Sequence, residues 1–191
     1  HSSGRKFPIL FAGLMLGDSE MASPSKSYPH VEFGEDNQTM YGDGWTGAKA
    51  LFSGHTGVQS ASGQAERPNL GPYEHLPPSK WTKANFNSES YRRANTSSSW
   101  VGQALVIRLL HAEPLWQHDA YFDYVDRWMT EDDREHRREI MKYFPDAPLS
   151  DSQKWSHQGN TWEPFVKSMW DRYRGSIRPS TNARPAKSAS P

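Results

Sequence analysis

The sequence predicts a mainly α fold in which helical hairpins carry a long ordered loop segment. Residues 96–129 read as two helices joined by a tight connection, and further helical patterns follow at 130–144 and 161–174. Residues 19–95 sustain neither a helical nor an alternating period, yet Phe33, Tyr41, Trp45, Phe52, Tyr73, Trp81, Phe86 and Tyr91 are too many anchors for a floppy linker. The expected organisation is one helical-hairpin domain over 1–175 with a loop-rich insertion at 19–95, followed by a disordered tail at 176–191 that has hardly any apolar group.

Each element has a local reason. Pro8 suits a first helical turn, Ile9 to Leu16 are almost uniformly apolar, and Gly17 can stop the helix in a left-handed conformation. A helix with no polar face needs neighbours on most sides. Within the loop segment a short helix is expected at 46–52, and one or two short strands at 31–45. Thr96 to Ser99 offer hydroxyl caps for a helix over 98–111, apolar around nearly its whole circumference, with Gly102 permitting close approach of another backbone.

Pro114 breaks that helix, and a second starts near Trp116 or Gln117. Tyr121, Tyr124, Val125 and Trp128 form its inner stripe, while Asp119, Asp123 and Asp126 face the other way, with Asp123 expected to pair with Arg127. A solvated face explains the three carboxylates more simply than a metal or acid/base site. Thr130 should cap a surface helix that grips through Ile140, Met141 and Phe144 and ends at Pro145 and Pro148. Asn160 or Thr161 should cap the last one, with Trp162, Phe165, Val166, Met169, Trp170 and Tyr173 inside.

Composition narrows the function. Lys plus Arg equal Asp plus Glu at 22 each, so no overall field draws the chain to nucleic acid or an anionic membrane, and neither is expected as a partner. Zero cysteines exclude disulfides and thiol nucleophiles. No apolar run reaches the roughly 18 residues of a membrane helix. The chain opens on His1 rather than Met and enters an apolar helix at once, which reads as the C-terminal part of something longer.

Four clusters could carry chemistry. His1, Arg5 and Lys6 precede a helix start that favours anions, or simply flank a core helix. Glu35, Asp36, Gln38, Tyr41, Asp43 and Trp45 lie between glycines, as a sugar site or as a loop tied down by its own side chains. Tyr91, Arg92 and Arg93 could fork a carboxylate beside an acidified phenol, or bond neighbouring carbonyls. The histidines at 55, 75, 111 and 118 follow no ligand spacing, so no metal is expected; no phosphate-binding or dinucleotide loop occurs, and no cofactor is expected.

The stretch YRRANTSSSWVGQALVIRLLHAEPLWQHDAYFDYVDRWM, with GRKFPILFAGLMLGD and FGEDNQTMYGDGWTGA before it, resembles the C-terminal half of bacterial carbohydrate-active proteins built as an (α/α) toroid of helical hairpins, in the style of alginate-lyase and heparinase-type polysaccharide lyases. The likeness covers about residues 4–129. It implies part of a toroid in a secreted or periplasmic enzyme that cleaves a uronic-acid polysaccharide by β-elimination. Arg92 or Arg93 would neutralise the uronate, Tyr91 or Tyr41 would transfer the proton, and His1 or His55 would be the base. Arg5, Glu35, Asp36, Gln38, Trp45 and Trp81 would contact substrate. The partners implied are a polysaccharide or oligosaccharide and the missing N-terminal part of the protein or another chain. Glycoside hydrolysis, with carboxylates drawn from Glu35, Asp36 and Asp43, and a non-catalytic glycan-binding module are the alternatives.

Overall fold

In the computed structural model, which describes residues 5–54, 73–145 and 163–177, the first helix is α1, Lys6–Leu16. Gly17 ends it at φ 70°, and its amide bonds to the Gly13 carbonyl. Asp18 then accepts hydrogen bonds at 3.0 Å from the amides of Glu20 and Met21, capping the short helix α2, Ser19–Ala22, which doubles back onto α1. The two backbones meet at Gly13. Leu10 is buried, but Phe11, Met15 and Leu16 remain exposed, so among the described residues α1 is covered on one side.

Short helices α3, Pro24–Ser27, and α4, Gly34–Asn37, lead to the antiparallel pair β1, Thr39–Tyr41, and β2, Ala50–Phe52, with Met40 opposite Leu51. The expected helix at 46–52 is therefore a turn and a strand. Ala50, Leu51 and Phe52 are buried on both faces, and burial of a short apolar run against other elements overrides its weak helical pattern. The expectation of strand within 31–45 is met by β1.

The larger departure from an irregular 19–95 is α5, Lys83–Asn95. Thr82 and Asn85 form a reciprocal capping box, the Asn85 amide donating to Thr82 Oγ1 and the Thr82 amide to Asn85 Oδ1. α5 runs through a π-helical turn, Thr96–Trp100, straight into α6, Val101–Leu109. The hydroxyls read as caps thus lie inside a continuous helix. Ser99 Oγ donates back to the Asn95 carbonyl at 3.0 Å, and Thr96 Oγ1 meets the Tyr124 phenol at 2.9 Å.

The break at Pro114 holds. His111 and Gln117 take positive φ values of 54° and 61° on either side of a single turn, α7, Glu113–Trp116, and α8 follows at Asp119–Thr130. α8 buries Tyr121, Tyr124, Val125 and Trp128 as its pattern requires, with Phe122 and Met129 beside them. It packs against β1, β2 and α6. Phe52 sits at the centre, its ring within 6.5 Å of Tyr73, Tyr91, Trp100 and Tyr124 between centroids, and Trp116 stacks on Tyr121 at 4.6 Å.

The acidic face of α8 is not simply solvated. Asp126 takes ion pairs from Arg108 and Arg174, and Arg127 pairs with Glu74 and Glu131 rather than with Asp123. Thr130 is the last residue of α8 and not a cap. α9 covers Arg134–Tyr143, anchored by Ile140, with Phe144 stacked on Phe86. α10, Pro164–Tyr173, buries only Trp170; Val166 packs over Gly102, whereas Phe165 is 72% exposed and does not face inward. The expected caps Asn160 and Thr161, and Trp162, lie outside the described residues, as does the expected tail beyond Ile177. Ile177 itself is buried in the core. The fold is mainly helical, and none of its described helices is long and apolar enough to cross a membrane.

A Cβ added at Gly13 would stand 2.2 Å from the Ala22 nitrogen, a backbone atom that cannot swing aside. Helix propensity alone would make Gly13→Ala stabilising by about 1 kcal/mol. The clash should reverse that sign, lowering stability by roughly 1–3 kcal/mol in a denaturant titration followed by circular dichroism.

Candidate functional site

Arg92 and Arg93, the cations expected to meet a substrate carboxylate, are buried on α5 and engaged by the protein's own acids. Glu89, one turn earlier, accepts from Arg92 Nε and Nη2 at 2.9 and 2.7 Å and from Arg93 Nε at 2.7 Å. Arg93 also pairs with Asp133, and Arg92 reaches Glu74 at 3.5 Å. Both guanidiniums lie over the Trp128 ring. This overturns their assignment as substrate neutralisers. Vicinal arginines on a helix that faces the core are kept there because carboxylates are buried with them.

Burial by itself would push the Glu89 and Glu74 carboxyls up, but the adjacent guanidiniums and their hydrogen bonds prevail and hold both below the usual carboxylate range. Glu74 is the second hub. It receives Arg127 Nη2 at 2.8 Å and the Phe52 amide at 2.5 Å, while its carbonyl accepts from the Trp45 amide. Trp45 is consequently half-buried, edge-on to His136 at 5.3 Å. Trp81 is a core residue whose indole donates to the Leu76 carbonyl at 2.8 Å, and it is not placed to contact a substrate. Tyr91 rests its ring on Phe52.

The cluster 35–45 divides between two places. Glu35 and Gln38 are buried and Asp36 is partly so. Asp36 accepts from the Trp116 indole at 3.0 Å and from Lys6 Nζ at 2.5 Å, and Lys6 lies over the Trp116 and Phe33 rings. Burial holds the Lys6 amine below its ordinary range against the pull of Asp36. Glu35 is fully buried, its carboxyl pushed up by desolvation, and its nearest cation is the half-exposed Arg5 at 3.9 Å. Gln38 is buried too. These residues form a knot at the start of α1 in which Glu35 is buried and Asp36 is committed to Lys6 and Trp116, which leaves a hydrolytic pair built on Glu35 and Asp36 without support. Asp43 is exposed and pairs with Lys49 in the hairpin turn.

Tyr41 alone of that cluster presents its ring outward, 54% exposed. Its hydroxyl donates to Asp123 Oδ2 at 2.6 Å. Partial burial, that hydrogen bond, and the charges of Asp123 and Asp119 all push the phenol well above its ordinary range, so it stays protonated at neutral pH.

Thr39, two residues earlier and therefore on the same face of β1, meets His118 just ahead of α8. His118 Nε2 lies 2.9 Å from Thr39 Oγ1 and 3.0 Å from the Thr39 carbonyl. The Thr39 hydroxyl donates its one proton to the Glu35 carbonyl, so Nε2 must be the donor and the neutral ring carries its lone pair on Nδ1. β1 and the start of α8 thus form a seam bearing Tyr41, Asp119, Asp123 and His118.

His118 was visible in the sequence only as a His-Asp dipeptide, and its partner lies 79 positions away. His1 and His55 lie outside the described residues. Comparison of the chain with protein-family models, with curated proteins and with solved structures finds no match.

The ionic web predicts a pH dependence. Glu89 and Glu74 are held below the ordinary carboxyl range in the folded state, so the unfolded chain binds more protons and stability rises with pH. Their contribution is complete above the unfolded carboxyl range and is lost progressively as pH falls below about 4.3. Glu89→Gln should cost roughly 3–5 kcal/mol at pH 7, because it removes the charge that two buried guanidiniums share and leaves each with a single acidic partner among the described residues. It should also flatten the acid limb of stability measured by urea unfolding across pH; a variant as stable as the parent would remove Glu89 from its central place.

Proposed function

We propose that the chain is a saccharide-binding helical module, part of an (α/α) toroid in a secreted or periplasmic carbohydrate-active protein, and that the β1–α8 seam is its contact surface. The observation that carries this reading is the exposed Tyr41 ring, held in one orientation by its hydrogen bond to Asp123. A sugar offers C–H faces to a ring and hydroxyls to polar groups at its edge. A ring fixed in advance loses little freedom on binding. Asp119, Asp123 and His118 supply the polar edge beside it.

A second reading, a lyase that cleaves a uronic-acid polysaccharide by β-elimination, draws on one further observation. A histidine whose Nε2 is held as a donor on Thr39 and a protonated phenol lie on the same seam, as the groups for proton abstraction and return would. Its expected cations, Arg92 and Arg93, are engaged by Glu89, Glu74 and Asp133, which favours binding over elimination.

Titration of the full chain against soluble polysaccharides by calorimetry, in parallel with absorbance of the unsaturated elimination product, separates the two. Binding should be detectable and should weaken roughly tenfold in Tyr41→Ala, with no rise in absorbance. Unchanged affinity in Tyr41→Ala would refute the seam as the contact surface, and a rise in absorbance that His118→Ala abolishes would establish elimination.

A further inference from the structure

Resting on the saccharide-binding reading, we infer that the β1–α8 seam selects neutral or amino-sugar glycans and rejects uronic-acid polymers, with Asp119 and Asp123 as the specificity-determining groups. Tyr41 donates its only hydroxyl proton to Asp123, so its oxygen offers the ligand lone pairs and no donor. His118 uses Nε2–H on Thr39, leaving Nδ1 as an acceptor in the neutral ring. Asp119 and Asp123 are exposed carboxylates, acceptors in every orientation.

What the seam recognises must therefore bring donors. Sugar hydroxyls and an ammonium qualify, whereas a carboxylate brings charge of the same sign. The cations close by are already engaged. Arg108 and Arg174 hold Asp126, one turn beyond Asp123 on α8; Arg127 is turned to Glu74 and Glu131; Lys49, across the hairpin, is paired with Asp43. Among the described residues, Asp119 and Asp123 are in no ion pair; Arg174, held by Asp126, also feels the Asp123 charge, and both carboxylates act on the Tyr41 phenol as negative charges.

Two exposed charges within a few ångströms of the ligand are screened, but over less than a Debye length of about 8 Å they still discriminate.

The test pairs polymers of different charge on the full chain by calorimetry at low and high salt. The probes are a neutral mannan oligosaccharide, an alginate oligosaccharide of the same length and a chitosan oligosaccharide. The parent should bind the neutral and amino-sugar probes in a Tyr41-dependent way and the alginate probe about fivefold more weakly or less, a gap that narrows at high salt.

Asp119→Asn with Asp123→Asn keeps a side-chain oxygen for the Tyr41 hydroxyl. It should raise the affinity for alginate relative to the neutral probe about fivefold, whatever loss the two share from the altered polar edge. Circular dichroism confirms that the variant is folded; if it is not, Asp119→Asn alone, which disturbs no hydrogen bond of Tyr41, takes its place. Equal Tyr41-dependent binding of alginate and mannan by the parent, or an unchanged ratio in the variant, overturns the charge selection while leaving saccharide binding in place. Failure of all three probes to bind overturns the saccharide reading itself, and the selection with it.

Discussion

The interior depends on the buried carboxylate of Glu89. A carboxylate taken out of water costs several kcal/mol unless cations and donors replace what water supplied. Here Arg92 and Arg93 from the same helix close around it, and the Tyr73 hydroxyl donates to it at 2.7 Å. Those arginines in turn require Glu74 and Asp133, and Glu74 requires Arg127 and the Phe52 amide. One requirement propagates from α5 to α8, to the residues before α9, and to β2. The consequence is specificity of arrangement, since any packing that separates these segments would leave a charge unpaired at low dielectric.

Around this web the core is filled by rings. Only 35% of the sequence is apolar, so aliphatic side chains alone would leave the interior thin. Trp100, Trp116, Tyr121, Tyr124, Tyr73 and Phe52 are fully buried, and each ring covers more surface than a leucine would. Rings with polar handles also make contacts that aliphatic groups cannot, as where Trp116 donates to Asp36 and Tyr121 to the Trp100 carbonyl. The aromatic core and the ionic web therefore share residues.

The proposed contact surface follows from what the interior has already used. Arg92, Arg93, Trp81 and Glu35 are drawn inward, and among the described candidates Tyr41, Asp43 and part of Arg5 remain turned outward, Tyr41 with its partner Asp123 on α8. A guanidinium whose donors and surface are taken up by buried carboxylates, as at Arg92 and Arg93, has little left for a substrate.

The residues alone determined much of the helical scaffold. The stop at Gly17, the break at Pro114 and the inner stripe of α8 depend on backbone preference or on period, which are local properties. The capping box at Thr82 and Asn85 is equally local, yet α5 goes unread because the polar composition of that helix conceals its period. Tertiary structure decided the rest. It turned 50–52 into a strand, carried one helix through the hydroxyl run at 96–100, and directed Arg92 and Arg93 to Glu89, Glu74 and Asp133. It also placed His118 on Thr39 and Tyr41 on Asp123. Those outcomes depend on which distant group comes within about 3 Å of a side chain, and short-range order along the chain carries no trace of such distances.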